Sequence, residues 1–296
     1  MKHLKTVLAY VFSLLILSSC GSNKKQGEQS AEEFSLEDYI KAAEAIEPNM
    51  NRVEQVFNIL DMVNAEYYDV LTNDPYSAHN YKTTYPVAAA NLGIYMTDIL
   101  YHLYGKADQS MFLSFQAAQE LAKFIGVESE FGSWTIESLE GTLAKRDTIT
   151  MLFNNLLRDS EKYNDEQEMV FVHTAFLTGS FVEKVYITGN LLKQKMAASE
   201  LSQEQEADIR ELLVIYLNQL DPSATILYDA FVRQQEQLEG LVVLTTFQKL
   251  KELSAQLKKV KSTLAVAPIS EISANKDLIS TFDLVANLRR VLVTSS

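Results

Sequence analysis

The sequence predicts an all-α protein: a multi-helix bundle of about eight to ten antiparallel helices joined by short loops. Three observations predict it. Apolar residues recur every three or four positions through almost the whole chain after Phe34, which places them on one face of successive helices. Helix-capping residues punctuate that pattern at regular intervals. The 296 residues include only 10 glycines and 5 prolines, and no Asn-Gly or Asp-Gly sits between alternating apolar residues, so the usual hairpin signal is missing.

The first element is not part of the bundle. Residues 1–19, "MKHLKTVLAYVFSLLILSS", begin with Lys2 and Lys5, continue through an apolar run from Val7 to Leu17 and end in small residues. That order is a secretory signal. The run is shorter than the ~20 apolar residues of a spanning helix and no stop-transfer pattern follows, so an uncleaved anchor is the weaker reading. The segment Leu17-Ser18-Ser19-Cys20 resembles the lipobox of bacterial lipoproteins. The resemblance is confined to the first 20 residues, and an ordinary signal peptide with an accidental cysteine is its alternative. It implies cleavage before Cys20, a diacylglycerol on its thiol and an acyl chain on the new amino terminus. Cys20 is the only cysteine of the chain, so the exported protein is expected to lack disulfides and to depend on packing. Several acyl chains together make a stable anchor where one alone binds marginally.

Residues 20–33 follow as the lipidated cysteine and a polar tether, "CGSNKKQGEQSAEE", with an r.m.s. reach on the order of 20 Å. Removing residues 1–19 takes away two lysines and no acid, leaving 24 Lys and Arg against 39 Asp and Glu. A balance this acidic repels phosphate backbones, so no nucleic-acid partner is expected. The expected partners are a membrane, through the N-terminal lipid, and a protein of the cell envelope.

Residues 34–296 read as a single helical domain with a candidate sub-boundary near 127–135. Ser35 and Asp38 have capping-box spacing, Phe34 and Tyr39 have staple spacing, and Pro48 ends this first helix. Asn51 opens a second whose apolar face, Val53, Val56, Phe57, Leu60, Val63, Tyr67, Val70 and Leu71, runs to "TNDP" at 72–75. Pro86 suits the first turn of a third, running to Tyr104 with Gly105 as terminator. Asp108 caps a fourth carrying Met111, Phe112, Phe115, Ala118, Leu121, Ala122 and Ile125, before Gly126. A helix over 136–163, whole or in two pieces, follows the break at "SEFGSWT".

Asp165 and Glu168 box the start of a long helix through Val172, Phe176, Leu177, Phe181, Val185, Ile187 and Leu191. Ser202 and Gln205 box the next, expected to end at Leu220. Asp221-Pro222 then reads as the start of a new helix continuing through Gly240 to Leu264. Its residues Leu250, Leu253, Leu257, Val260 and Leu264 suit either an intramolecular helix pair or a short coiled coil. Pro268 closes it, and Leu278, Phe282, Val285, Leu288 and Leu292 line a final helix. Segments 89–101 and 174–186 align without gaps at Ala90/Ala175, Leu92/Leu177, Asp98/Glu183 and Tyr101/Tyr186. A duplicated helical hairpin is one reading; chance likeness between amphipathic helices is the other.

Motifs for catalysis are absent: the sequence holds no H-E-x-x-H, no Glu three residues before a histidine, no G-x-S-x-G and no phosphate loop. No cofactor or metal is expected, and a non-enzymatic role is preferred. One constellation stands out. Asn91, Tyr95, Asp98 and His102 follow spacings of 4, 3 and 4, hence share one helix face. With His173 and Glu183 they form a candidate ligand pocket, the basis of an alternative reading as a ligand-binding or sensor-like module. An interhelical hydrogen-bond network, or an exposed polar stripe, is the preferred reading of the same residues. Trp134 reads as a plug at a helix junction, with a partner-binding anchor as its alternative. The acidic run from Glu200 to Glu211 and the lysines from Lys249 to Lys261 read as solvated faces.

Overall fold

The computed structural model describes residues 57, 60, 64–127, 167–198, 200–233 and 241–294. All of them lie in one compact unit, Leu36–Ser296. Among them the chain is all-α, with no strand. The expected signal peptide, Cys20, the tether, the helix at 34–48, the sub-boundary near 127–135, Trp134 and the helix over 136–163 lie outside the described residues.

Among the described residues, six long helices and one short one follow two 3-10 helices at Asp69–Leu71 and Pro75–Tyr81. They are α1 (Tyr85–Gly105), α2 (Asp108–Ile125), α3 (Gln167–Met196), α4 (Gln203–Arg233), α5 (Leu241–Val266), the short α6 (Ile269–Ser273) and α7 (Lys276–Thr294). Their starts follow the sequence signals. Thr84 accepts from the Val87 N–H ahead of Pro86. Ser202 and Gln205 close the reciprocal box, the Gln205 N–H reaching Ser202 Oγ at 3.3 Å and the Ser202 N–H reaching Gln205 Oε1 at 2.9 Å. Gly126 ends α2 in the left-handed region with φ 89°.

Three boundaries differ from the expectation, each for a physical reason. The second predicted helix does not reach Leu71. Asn64 adopts φ 45°, and the Ala65 N–H bonds back to the Leu60 carbonyl, the six-residue closure of a helix C-terminus. Val70 is 85% exposed, so the apolar spacing there marks no buried stripe. Lys106, not Gly105, takes the left-handed turn after α1, with φ 54°. Gly105 is needed for space: a Cβ there would meet the Tyr67 ring at 2.2 Å.

The third difference concerns Pro222, which lies inside α4 instead of starting a new helix. A proline in a helix interior costs about 3 kcal/mol because it has no N–H to give the carbonyl four residues back. Leu217, Leu220, Ala224 and Leu227 are all buried on either side of it. At about 2 kcal/mol for each buried leucine, keeping one continuous apolar face outweighs the lost bond. The predicted run from Asp221 to Leu264 is instead an antiparallel pair. Lys251 meets Asp229 at 3.4 Å and Lys261 reaches Asn218, so α5 returns along α4. Leu250, Leu257 and Leu264 are buried.

Helix directions alternate. His102 meets Ser114 between α1 and α2, Lys195 meets Asp208 between α3 and α4, and Arg289 of α7 meets Glu183 of α3. Phe282 of α7 also lies against Gly189 of α3, and Leu292 meets Asn91 of α1 while Arg289 faces Asp98, so α7 is antiparallel to both, and α1 and α3 run the same way and form the centre. Gly93 and Gly179 make their contact one of backbone on backbone. A Cβ on Gly179 would stand 1.8 Å from the Ala90 carbonyl oxygen, and one on Gly93 would stand 2.1 Å from that of Phe176. Thr97 Oγ1 and Ser180 Oγ meet at 3.0 Å beside this crossing. The two segments that align in sequence, 89–101 and 174–186, are the two that touch here.

Gly179→Ala tests the crossing. Helix propensity alone would raise stability by about 1 kcal/mol, but the added methyl meets backbone that cannot rotate away. The expected outcome in urea unfolding is a net loss of about 2 to 3 kcal/mol, in the range of overpacked cores. A gain would mean that the helices do not touch.

Candidate functional site

The polar face of α1 is buried along its whole length: Asn91, Tyr95, Asp98 and His102 are each 0 or 1% exposed. What covers much of it is the irregular stretch 64–81. Backbone outside regular structure brings N–H and carbonyl groups that must be paired if buried, and α1 supplies many of the partners. Tyr101 Oη accepts from the Tyr68 N–H at 2.9 Å. Asp98 Oδ2 accepts from the Asn73 N–H at 3.0 Å. Tyr95 Oη donates to the Asp74 carbonyl at 2.7 Å, and Tyr104 Oη donates to that of Ala65. The contacts step back along α1 from 104 to 95 as the segment steps forward from 65 to 74, so the segment runs antiparallel to the helix.

His102 belongs to this clamp. Its Nδ1 lies 2.7 Å from Tyr67 Oη, and its Nε2 lies 3.1 Å from Ser114 Oγ. Tyr67 Oη donates its one proton to Asp69 Oδ1 at 2.6 Å. His102 must therefore carry its proton on Nδ1 and accept the Ser114 hydroxyl on Nε2. Burial holds this imidazole neutral, down to about 4, against the opposing pull of Asp69. Asn91 does a different task. Its Nδ2 donates to the Val87 carbonyl at 3.0 Å and to the Leu292 carbonyl at 3.1 Å, supplying a donor to the last turn of α7.

Asp98 and Glu183 meet about one turn beyond the glycines of the crossing, and neither has any exposed surface. Arg289 of α7, a residue to which the sequence drew no notice, faces both. Its Nε and Nη2 grip the two Glu183 oxygens at 2.5 and 2.8 Å, a fork that fixes direction as well as charge. Nη2 also lies 3.5 Å from the Leu71 carbonyl, and the guanidinium sits 4.4 Å over the Tyr186 ring. Although burial pulls it down, the Glu183 carboxylate holds Arg289 above its usual range.

The count of charges here does not balance. Two carboxylates face one guanidinium with no water-exposed atom on either acid. Burial first, and then the Glu183 charge, push the Asp98 carboxyl well above the usual carboxylate range, against the counterpull of Arg289 and of the Asn73 N–H. Asp98 Oδ1 finds no donor among the described residues. As an acceptor it is orphaned; as a protonated oxygen it can donate to Glu183, which lies in hydrogen-bonding contact. A neutral Asp98 beside a Glu183–Arg289 ion pair satisfies both the charge and the bonding.

Of the six candidate pocket residues, the structure brings Asp98 and Glu183 together and strings Asn91, Tyr95 and His102 along the same covered face. His173 stands apart: ten residues before Glu183 on α3, it is displaced by about 15 Å along the axis. Its imidazole is buried and driven down to about 4. Among the described residues no group of three or more His, Cys, Asp or Glu is placed to hold a metal ion. Arg289 and Asn73 are the members that sequence reasoning missed. Arg289 had a signal, since it lies four residues after Val285 and three before Leu292, at the margin of the apolar stripe of α7. Compared with protein-family models, curated protein sequences and solved structures, the chain matches none.

Two outcomes are expected. Arg289→Met removes the only cation facing this acid pair among the described residues and should cost about 3 to 5 kcal/mol, the range for one partner lost from a buried ion pair; chemical denaturation measures it. The two buried histidines contribute to the acid limb. Their folded values lie below the ordinary 6.5, so the stability they contribute is present above 6.5 and is lost as pH falls through about 4. His102→Asn should flatten the fall in melting temperature across that window while leaving neutral stability lower.

Proposed function

We propose that the chain is a lipid-tethered protein of the cell envelope whose helical domain binds another protein or serves a structural role at a membrane surface, without catalysis. The observation that carries this reading is the sequence Leu17-Ser18-Ser19-Cys20 at the end of a basic-then-apolar leader, with Cys20 the sole cysteine. Acylated there, the chain would be held by its amino terminus, with a tether of about 20 Å keeping the domain close to the bilayer. No helix among the described residues is long and apolar enough to cross a membrane, and the lipid would supply the attachment.

The arrangement around Asp98 favours this reading over a ligand pocket. Asn73, Glu183 and Arg289 occupy the space around the carboxylate, and the other polar side chains of α1 bond to the chain's own backbone or side chains. These groups hold the protein together and present little to a solute.

Cys20→Ala provides the test. In fractionated cells the wild-type protein should sediment with membranes and carry a lipid mass on the peptide beginning at Cys20, and the variant should lose both. A variant that remains acylated or membrane-bound would defeat the proposal. Crosslinking in the intact envelope should capture a discrete protein partner with the wild-type chain.

A further inference from the structure

The 64–81 segment is attached to the helices through titratable groups, and the pair at its centre is short of positive charge. We infer that Asp98 and Glu183 share a single proton against Arg289, and that this proton is a latch whose loss at alkaline pH opens the 64–81 segment away from the helix pair.

The argument starts from geometry. Asp98 and Glu183 are both fully buried, and among the described residues one guanidinium serves the two and Asp98 Oδ1 has no donor. Loss of the shared proton to a solvent base leaves a net negative charge in a site without water, and a buried carboxylate without a counterion is among the least tolerable groups in a core. Relief requires water to reach it. From α1 and α3 water is barred by the backbone contact at Gly93 and Gly179, which has no room to widen without losing the packing around it. Arg289 of α7 closes a third side, and among the described residues the remaining cover is the 64–81 segment. It lies over Asp98 through Asn73, and its two 3-10 helices are short. Two of the bonds that hold it are local to the latch. The Asn73 N–H bonds Asp98 itself, and the Leu71 carbonyl faces Arg289, which is already committed to Glu183.

Other ionisable groups that approach the latch do not substitute for it. Glu183 on α3 is held by the fork to Arg289, and Tyr186 lies under that guanidinium. The phenol of Tyr95 near Asp98, and that of Tyr81 against Asn73, are raised by burial and stay neutral. Asp74 accepts from the Tyr76 N–H at the segment's surface. His102, one turn along α1, responds in the opposite sense. Being depressed, it charges only in acid. Asp98 is raised in the fold, so its contribution to stability is complete below the ordinary aspartate value and declines as pH climbs through the raised one. The alkaline opening therefore belongs to the acid pair. The opened segment uncovers Tyr95, Asp98 and His102 together, turning a buried face into an accessible cleft.

Hydrogen–deuterium exchange on the full chain, read on peptides spanning 64–81 and corrected for the intrinsic base catalysis of exchange, tests the latch between about pH 5 and about pH 9. In the wild type, opening of this segment should increase with pH by at least tenfold relative to peptides of α4. Asp98→Asn, which keeps the shape of the protonated acid, should abolish the increase, and Glu183→Gln, which removes the other carboxylate, should abolish it too. Infrared difference spectra give a readout independent of opening: a protonated-carboxyl stretch present at neutral pH in the wild type and missing in Asp98→Asn. A pH-independent segment, an increase that survives both substitutions, or the absence of that stretch would overturn the inference.

Discussion

Two helices approach in this protein as closely as backbones allow, and the rest of the structure is arranged around that contact. Gly93 and Gly179 make it possible, each removing the one methyl group that would collide with the opposite carbonyl. The same approach brings Asp98 of α1 against Glu183 of α3. Two acids in contact inside a core call for a cation, and α7 supplies Arg289 through an antiparallel run along α3. The acids also call for cover, and the 64–81 segment supplies it with Asn73. Small residues, acid pair, arginine and covering segment thus form one causal series that begins with missing side chains.

Much of the fold was legible because helices announce themselves locally. The box at Ser202 and Gln205, the left-handed Gly126 and the apolar stripes of α2, α3 and α7 all depend on residues within a turn or two of each other. What failed was wherever a distant contact overrode a local signal. Val70 and Leu71 carry helical spacing, yet Asn64 ends the helix and α1 re-pairs the backbone that follows. Pro222 resembles a helix start, yet burial on both sides carries α4 straight through it. Gly105 looks like a terminator, yet it is held for the Tyr67 ring while Lys106 turns the chain.

The candidate site was legible in half. Helical spacing alone put Asn91, Tyr95, Asp98 and His102 on one face, and the alignment of Asp98 over Glu183 singled out two residues that turn out to touch. Nothing local could pair them with Arg289, more than 100 residues further on, or with a backbone N–H at Asn73. A main-chain donor has no sequence signature at all. His173 shows the converse: a histidine on a buried helix invites a functional reading, but ten residues along the axis set it apart from the acids.

Buried ion pairs add little net stability over an apolar core of the same shape, so the polar face of α1 needs a different reason to exist. Apolar contacts are tolerant of sliding, whereas a hydrogen bond has a direction and a single good length. The 64–81 segment buries few large apolar side chains, chiefly Leu71 and Tyr81, with Ala65 and Ala78 as small ones. Apolar anchors that sparse would hold an irregular chain loosely and in several registers. Tyr104, Tyr101, Asp98 and Tyr95 meet it instead at successive points, each bonded to one particular backbone group. A segment fixed in this way has one register only, and its hold depends on the protonation of groups that an apolar face would not contain.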